Sequence, residues 1–216
     1  MDGRKKKVVV VGGAGFIGSN LVDELIAKDF DVHVIDNLSG GKRENINPNA
    51  KLHVADITSL QSIQPIINDS VYVFHLAALP RVQFSIEHPI EAHDANVNGT
   101  LNILVAATNA KVRRVIYSAS SSAYGDQKIM PLQEAFFANP KSPYGLQKYV
   151  GELYCKLWSE IYGLQTVSLR YFNVYGPRQS AEGAYALVIA KFFKQRSEGG
   201  PMTITGEGTQ TRDFTH

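Results

Sequence analysis

The chain has 216 residues, 44% of them hydrophobic and 19% charged, and its formal net charge is +2. These values exclude a disordered chain and fit a globular protein with one large domain, or one domain and part of another. The small net charge gives no indication of nucleic-acid binding, and no apolar stretch approaches the roughly 20 residues that cross a bilayer. The single cysteine excludes an internal disulfide, so we expect a cytoplasmic protein.

Short β-branched or apolar segments alternate with longer amphipathic segments along most of the chain. The predicted strands are Lys7–Val11, Val32–Asp36, Leu52–Ala55, Val71–Ala77, Arg114–Ser118 and Thr166–Tyr171. The predicted helices are Phe16–Lys28, Ser59–Ile67, Ile90–Asn109 and Pro143–Tyr162. This alternation predicts an α/β fold with a doubly wound parallel sheet of Rossmann type.

The pattern changes near Asn173, and we expect residues 1–172 and 173–216 to belong to different domains. The predicted elements of the second part are a loop at Tyr175–Arg178, a helix at Tyr185–Gln195 and a short strand at Met202–Thr205. We expect this part to be the start of a truncated lobe, because no turn or cap closes the segment that ends at His216.

Glycine recurs at positions 12, 13, 15 and 18, between the first predicted strand and the first predicted helix. This spacing satisfies G-x-G-x-x-G and also G-x-x-G-x-x-G, in the context that a dinucleotide-binding turn needs. Gly12 and Gly15 permit a tight turn and close backbone approach, and Gly18 lets the helix pack against the strand. The first amides of the helix are expected to hold the pyrophosphate.

Two aspartates end the next two predicted strands. Asp36 follows Gly18 by 18 residues, and a carboxylate there accepts ribose hydroxyls and repels a 2′-phosphate, which favours NAD over NADP. Asp56 is a candidate partner of the adenine amino group with help from Ile57, although a turn or helix-cap role fits its spacing equally well. Residues 1–172 are therefore predicted to be an NAD-binding domain.

Tyr144 and Lys148 lie one helical turn apart, after a favourable helix start at Ser142-Pro143. A free tyrosine has a pKa of about 10, so a phenolate near pH 7 needs roughly 4 kcal/mol of stabilisation. A cation about 5 Å away supplies roughly 3 kcal/mol at an effective dielectric constant near 20. We expect Lys148 and the positive charge of NAD⁺ together to make Tyr144 a base, and we predict a catalytic role for the pair.

A hydroxyl must also hold the substrate oxygen while its proton leaves. Ser118–Ser122 contains four serines at the carboxyl end of a predicted central strand, where ligands bind in open α/β sheets. A polar strand terminus without function is the alternative. The six histidines show no spacing typical of a metal site, so no metal is predicted.

The chain resembles the extended short-chain dehydrogenase/reductase family, in particular its nucleotide-sugar epimerase/dehydratase branch. The matching motifs are Gly12–Gly18, Asp36–Ser39, Leu76–Ala78, Asn96–Thr100, Ser120–Ser122, Tyr144 with Lys148, Leu169–Pro177 and Arg212–Phe214. In relatives the catalytic Ser or Thr precedes a Tyr-Gly pair by four residues, and counting back from Tyr124-Gly125 gives Ser120. The catalytic residues that the resemblance implies are Ser120, Tyr144 and Lys148.

The resemblance also implies binding residues. Those for NAD are Gly12, Gly15, Phe16, Ile17, Gly18, Asp36, Asn37, Ser39, Gly40, Asp56, Ile57, Leu76, Ala77, Ala78, Asn96, Tyr144, Lys148 and Tyr171. Those for a UDP-sugar are Ser120, Ser121, Ser122, Tyr144, Asn173 and Arg212. Asn173 and Arg212 would contact the diphosphate; a satisfied loop amide and an ion pair with Asp213 are the alternatives.

The implied reaction is NAD-dependent 4-epimerisation of a UDP-sugar through a transient 4-keto intermediate. Ser142–Gly176 and Gly183–Ala186 resemble epimerases that accept UDP-N-acetylhexosamines, although UDP-glucose/galactose remains an alternative. The resemblance also leaves open a uronic-acid epimerase, a decarboxylase, a 4,6-dehydratase, or a truncated NAD-binding module without turnover. Ser121 and Ser122 stand where a 4,6-dehydratase has Asp-Glu, and hydroxyls cannot do that acid–base work.

We also expect a homodimer that binds neither nucleic acid nor membranes. The helices at Ile90–Asn109 and Pro143–Tyr162 carry enough apolar positions to cover the sheet, and in relatives they form a two-fold helical bundle. Periodicity does not distinguish these uses. Cys155 is predicted to lie in the core, on one side of its helix with Leu153 and Leu157.

Overall fold

The structure of the chain is a computed structural model that describes residues 5–181, 188–204 and 206–216. Contacts between residues divide the chain into two units, Met1–Tyr171 and Phe172–His216. This division falls one residue before the predicted boundary. In the described parts of the chain, no helix combines the length and apolar character needed to span a membrane.

A parallel sheet of six strands forms the centre of the first unit. Its strands are β1 Lys7–Val11, β2 Asp31–Asp36, β3 Lys51–Val54, β4 Tyr72–His75, β5 Arg114–Ser120 and β6 Gln165–Tyr171. Their order is β3-β2-β1-β4-β5-β6, and every pairing is parallel. The predicted doubly wound parallel sheet is therefore confirmed. Strand β4 is shorter than predicted, because the amides of Leu76 and Ala77 both donate to the Val11 carbonyl at 2.8 and 2.9 Å.

From residue 5 to Tyr171, the first unit also contains six α-helices. They are α1 Phe16–Ala27, α2 Leu60–Ile67, α3 Val82–Glu87, α4 Pro89–His93, α5 Gly99–Asn109 and α6 Pro143–Tyr162. The predicted start and end of α6 are confirmed. The predicted helix over Ile90–Asn109 is confirmed as one continuous helical stretch, within which a π-helical turn at Asp94–Asn98 joins α4 to α5. Helix α3 has six residues, too few to give a periodic signal in the sequence.

The core has two parts, one on each face of the sheet. Val9 and Val11 of β1 belong to one cluster, and Val8 and Val10 belong to the other. Burial on both faces explains why β1 is apolar throughout. Cys155 is buried as predicted, but Leu153 and Leu157 are 48% and 42% exposed. Grouping them on one side was wrong, since two residues along a helix correspond to a rotation of about 200°.

In its described residues, the second unit contains α7 Val188–Ser197 and two short parallel strands, β7 Asn173–Val174 and β8 Phe214–Thr215. The first three residues of the helix predicted at Tyr185–Gln195 and the whole Gly183–Ala186 motif lie outside the described residues. The predicted strand at Met202–Thr205 is wrong over Met202–Ile204, which has no regular structure, and Thr205 is not described. The Thr203 amide donates instead to the Gln195 side chain at 3.0 Å.

Candidate active site

The glycine turn between β1 and α1 depends on two close backbone approaches. Gly12 has a φ of +82°, and a Cβ atom there would lie 2.6 Å from the Ala77 amide nitrogen. A Cβ atom on Gly18 would overlap the Gly12 carbonyl oxygen. Neither position tolerates a side chain without movement of the backbone. The glycine spacing in the sequence therefore reflects a real steric requirement.

Helix α1 presents free backbone amides at its start. Gly15 is the N-cap, and the first intrahelical bond runs from the Ser19 amide to the Gly15 carbonyl at 3.0 Å. The amides of Phe16, Ile17 and Gly18 precede that bond and have no acceptor within the helix. Such a group of amides binds phosphate, so this turn fits a dinucleotide pyrophosphate.

Asp36 is 8% exposed and supports the glycine turn. Its carboxylate accepts the amides of Ala14 at 2.9 Å and Leu38 at 2.8 Å. A carboxylate has about four acceptor sites, so two hydrogen bonds leave capacity for ribose hydroxyls. The bond to Ala14 has no signal in the sequence, because it joins residues 22 positions apart.

The predicted adenine side of the site is a network of exposed polar residues. The Asn37 amide donates to Asp56 at 2.7 Å and its oxygen accepts the Ser39 amide and hydroxyl at 3.0 and 2.7 Å. Burial alone would raise the pKa of Asp56, but hydrogen bonds from Thr58 and Asn37 lower it below its usual value. These contacts are those of a turn residue, and the adenine contact stays a prediction. Ile57 is buried in the core. Gly40 lies in open space, since a Cβ atom added to it would have no neighbour within 4 Å.

Asn96 forms hydrogen bonds with the segment that follows β4. Leu76 and Ala77 donate to the end of β1, and Asn96 Oδ1 accepts the amide of Leu79 at 2.8 Å. Asn96 is 1% exposed and lies in the π-helical turn. The predicted cofactor residues Leu76, Ala77 and Ala78 therefore have a fixed backbone path.

The structure brings Ser120 and Tyr144 together. Both residues are 9% exposed, and the Ser120 hydroxyl acts on the Tyr144 phenol in the direction that lowers its pKa. Ser120 Oγ also accepts the Ser122 amide at 3.1 Å, which leaves its own hydrogen available for donation. An added Cβ atom on Gly145 would lie 2.7 Å from the Ser122 carbonyl oxygen, so Gly145 lets α6 approach this serine turn closely.

The start of α6 is held by two serines. Ser142 is the N-cap and accepts the Gly145 amide at 3.1 Å, as predicted from the sequence. Ser85 of α3 accepts the Tyr144 amide at 3.0 Å. The second contact was missed, because α3 itself gave no sequence signal. Together these bonds fix the backbone that carries Tyr144.

Lys148 is buried at 3% exposure among neutral groups. Its Nζ donates to the Ser118 carbonyl at 2.8 Å and lies 5.0 Å from the centre of the Tyr117 ring. Burial lowers the pKa of Lys148 to about 8, and burial together with the charge of Lys148 lowers the pKa of His75 to about 3. Lys148 is therefore a cation that loses its proton at mildly alkaline pH.

Burial dominates the electrostatics of Tyr144. It raises the pKa of the phenol above its ordinary value, and the neighbouring Ser120 hydroxyl offsets only part of this effect. Within the chain, desolvation of the phenol therefore outweighs the effect of its neighbours. The expectation that Lys148 and the positive charge of NAD⁺ act together on Tyr144 stays a prediction.

The remaining predicted residues are distributed over both units. Tyr171 ends β6 and pairs in register with Ser120, while Ser121 and Ser122 are half-buried beside it. In the second unit, the Asn173 side chain donates to the Asp213 carbonyl at 2.9 Å, and Arg212 donates to the Thr211 carbonyl at 2.7 Å. Across the described residues, no group of three or more His, Cys, Asp or Glu could hold a metal ion.

The carboxyl ends of β1, β2, β4 and β5 carry the glycine turn, Asp36, the Leu76–Ala78 segment and Ser120. These strands are parallel, so all four features lie at one edge of the sheet, where ligands bind in this fold. A dinucleotide cradle at the edge that also carries a buried Ser-Tyr-Lys group defines an enzyme of the short-chain dehydrogenase type.

Comparisons with known proteins identify the family. The profile of the NAD dependent epimerase/dehydratase family matches residues 8–216. The UDP-N-acetylglucosamine 4-epimerase of Methanobrevibacter ruminantium M1, solved with UDP-N-acetylmuramic acid, is 44% identical with a TM-score of 0.94, over 98% of this chain and 69% of that one. The UDP-glucose 4-epimerase of Thermotoga maritima, solved with UDP-glucose, is 40% identical with a TM-score of 0.93, over 96% and 68%.

A third similar structure, the UDP-glucose 4-epimerase of Thermus thermophilus in complex with NAD, is 34% identical with a TM-score of 0.89, over 96% of this chain and 70% of that one. The chain thus spans about 70% of the length of these relatives. The chain belongs to the NAD dependent epimerase/dehydratase family, and its cofactor is NAD.

Proposed function

We propose that the chain catalyses NAD-dependent 4-epimerisation of a UDP-sugar, either UDP-GlcNAc/UDP-GalNAc or UDP-glucose/UDP-galactose. The observation that carries the proposal is the burial of Ser120, Tyr144 and Lys148 in the unit that holds the glycine turn, in a chain whose similar solved structures are UDP-sugar 4-epimerases. The sequence at 120–122 argues against a 4,6-dehydratase, because no carboxylate follows Ser120.

The proposed chemistry assigns one proton and one orienting bond to this chain. Tyr144 removes the proton of the sugar 4-hydroxyl while the hydrogen on C4 leaves with its electron pair, which gives a 4-keto sugar. Ser120 donates its free hydrogen to the same sugar oxygen. When bound, NAD⁺ supplies the hydride acceptor, which is regenerated in each cycle. After the sugar presents its other face, the hydride returns to C4 and Tyr144 returns the proton to the 4-oxygen, so C4 has the inverted configuration.

The proposed cofactor contacts follow the edge of the sheet. The amides of Phe16 to Gly18 hold the pyrophosphate, Asp36 accepts the adenosine ribose hydroxyls, and Lys148 holds the nicotinamide ribose. The other residues predicted from the resemblance complete the site. On the substrate side, we assign Asn173 and Arg212 to the diphosphate, which leaves the sugar free to turn between the two half-reactions.

The reaction is tested by incubation with UDP-GlcNAc, UDP-glucose and UDP-glucuronate, with NMR readout of the configuration at C4. The same assay is run on a chimera that appends the final third of the Methanobrevibacter ruminantium enzyme. Inversion at C4 of either of the first two sugars supports the proposal. Inversion of UDP-glucuronate alone favours the uronic-acid alternative, and NAD binding without any turnover by either protein favours a binding module.

Asp36→Ala should weaken NAD binding by about 10- to 100-fold, since hydrogen bonds to a charged group contribute about 1.5–3 kcal/mol. Discrimination against NADP should also relax, because no carboxylate then repels the 2′-phosphate. Calorimetric titration of the parent and the variant with both cofactors measures these effects. Tighter binding of NADP than of NAD by the parent would contradict the assigned role of Asp36.

We also propose a homodimer formed through α6. Leu146, Leu153, Leu157 and Ile161 are 42–62% exposed and follow one another at spacings of seven and four residues, which places them on one stripe of the helix. An exposed apolar stripe of this kind marks an interaction surface. Sedimentation equilibrium should give a dimer for the parent and a monomer for Leu153→Glu, and a monomeric parent would contradict the proposal.

A cytoplasmic location is proposed on the composition of the chain, since its single cysteine suits a reducing compartment. Fractionation of cells that express the chain tests this location. Recovery of the protein in a membrane or extracellular fraction would contradict it.

A further inference from the structure

Gln147 is a buried amide on α6, between the two predicted catalytic residues of that helix, Tyr144 and Lys148. It lies three residues after Tyr144 and directly before Lys148, and it is 4% exposed. Its Oε1 accepts a hydrogen bond from Asn96 Nδ2 at 2.8 Å. The proposed chemistry gives Gln147 no proton to move, so its burial at this position needs another explanation.

Asn96, the partner of Gln147, is fixed through both its side chain and its backbone. Its Oδ1 accepts the Leu79 amide at 2.8 Å, and its Nδ2 donates to the Leu79 carbonyl at 3.2 Å as well as to Gln147. The Asn96 carbonyl accepts the Thr100 hydroxyl at 2.7 Å. Because the Thr100 hydroxyl donates its only hydrogen to that carbonyl, its oxygen accepts a hydrogen bond from His75 Nε2 at 3.0 Å.

This network joins two parts of the site that lie far apart in sequence. Leu79 directly follows the Leu76–Ala78 segment, which is predicted to face the cofactor, and Gln147 lies on the helix that carries Tyr144 and Lys148. Gln147 and Asn96 are 51 residues apart, and their hydrogen bond is buried. A displacement of about 1 Å between reacting groups can cost on the order of 10²-fold in rate.

We propose that Gln147 is a positioning residue which, acting through Asn96, fixes the Leu79 segment relative to the Tyr144–Lys148 pair. The kinetic part of this inference rests on the proposed epimerase function. The structural part does not, because the Leu79 amide reports on the network in the chain without cofactor.

The discriminating variants are Gln147→Met and Gln147→Glu. Methionine matches the length of glutamine but removes the acceptor, so one Asn96 N–H loses its buried partner. We expect kcat to fall by about 10- to 100-fold, with KM for the UDP-sugar within about twofold, because geometry and not substrate binding is affected. Glutamate keeps the acceptor oxygen and should recover most of the lost kcat. The matched control is Gln64→Met on α2, which should leave kcat unchanged.

Hydrogen exchange of the Leu79 amide supplies a readout besides activity. In the cofactor-free chain, Gln147→Met should accelerate this exchange about fivefold or more, since loss of one hydrogen bond of about 1 kcal/mol loosens Asn96. Gln64→Met should leave the exchange rate of the Leu79 amide unchanged. Thermal unfolding and bound NAD are measured alongside, so that general unfolding is recognised by its effect on amides throughout the sheet.

A double variant completes the test. Adding Gln147→Met to Asn96→Ala should cause little further loss of kcat, because both changes break the same path. Additive losses, or Leu79 exchange at the parental rate in Gln147→Met, would overturn the inference. A parent chain and chimera without epimerase activity would instead refute the proposed function, and the Leu79 exchange would still decide whether Gln147 positions the segment.

Discussion

Tyr144→Phe should lower kcat for epimerisation by about 10²- to 10⁴-fold, the range typical of loss of a positioned acid–base group. The phenol is the group that we propose takes the proton of the sugar 4-hydroxyl, and phenylalanine fills the same buried volume without it. NAD should remain bound, because the glycine turn and Asp36 are unchanged. The measurement combines steady-state turnover of the UDP-sugar with quantification of bound cofactor.

The matched control is Tyr149→Phe, which removes a hydroxyl from a half-buried tyrosine on the same helix. This variant should keep parental turnover. A Tyr144→Phe variant that retains turnover within about tenfold of the parent would remove Tyr144 from the role of base, since the loss would fall below the range expected for such a group. Loss of activity accompanied by loss of bound NAD would point to a fault in folding.

Lys148→Met should lower kcat by about 10²-fold or more, because it removes the buried cation one helical turn after Tyr144 and the proposed contact with the nicotinamide ribose. Activity of the parent should decline on the alkaline side as Lys148, whose pKa is lowered to about 8, loses its proton. Initial rates of parent and variant across pH 6–10 measure this alkaline decline in activity. A variant whose alkaline decline coincides with that of the parent would contradict the assignment.

The lowered pKa of Lys148 also predicts how the stability of the folded chain changes with pH. The pKa of Lys148 is about 8 in the folded chain and near 10.5 when unfolded, so the unfolded state binds more protons between these values. The free energy of unfolding of the parent, relative to that of Lys148→Met, should therefore rise as pH increases from about 8 to about 10.5. Denaturant titrations of the cofactor-free proteins measure this difference in the free energy of unfolding. A difference that stays constant or falls as the pH rises would contradict the burial of an ammonium group.

The sheet and most of its helices could be predicted because their signals are local. Strand β1 is apolar at every position after Lys7, and α6 has a serine cap and proline at its start and Gly163 with a φ of +69° after its end. The π-helical turn at Asp94–Asn98 could not be predicted, because the apolar period continues through it. Within this turn, Asn96 forms hydrogen bonds with Leu79 and Gln147, and a local pattern does not reveal contacts so distant in sequence.

In the candidate site, too, some features follow from local sequence patterns and others depend on residues distant in sequence. Spacing was sufficient to find the glycine turn, Asp36 and the Tyr144–Lys148 pair, because each motif has a fixed period or position after a strand. Spacing could not predict the Ser85 contact, or that burial would raise the pKa of Tyr144. A pKa depends on the solvent that surrounding elements exclude, and neighbouring residues along the helix do not reveal that.

In the proposed reaction the hydrogen on C4 leaves and returns without exchange with solvent, while Tyr144 holds only the hydroxyl proton. It is tested most directly with a UDP-sugar carrying deuterium at C4, converted by the chain or the chimera in ordinary water. The proposed chemistry predicts that the C4 epimer retains the deuterium at C4. Replacement of that label by hydrogen from the solvent would contradict it.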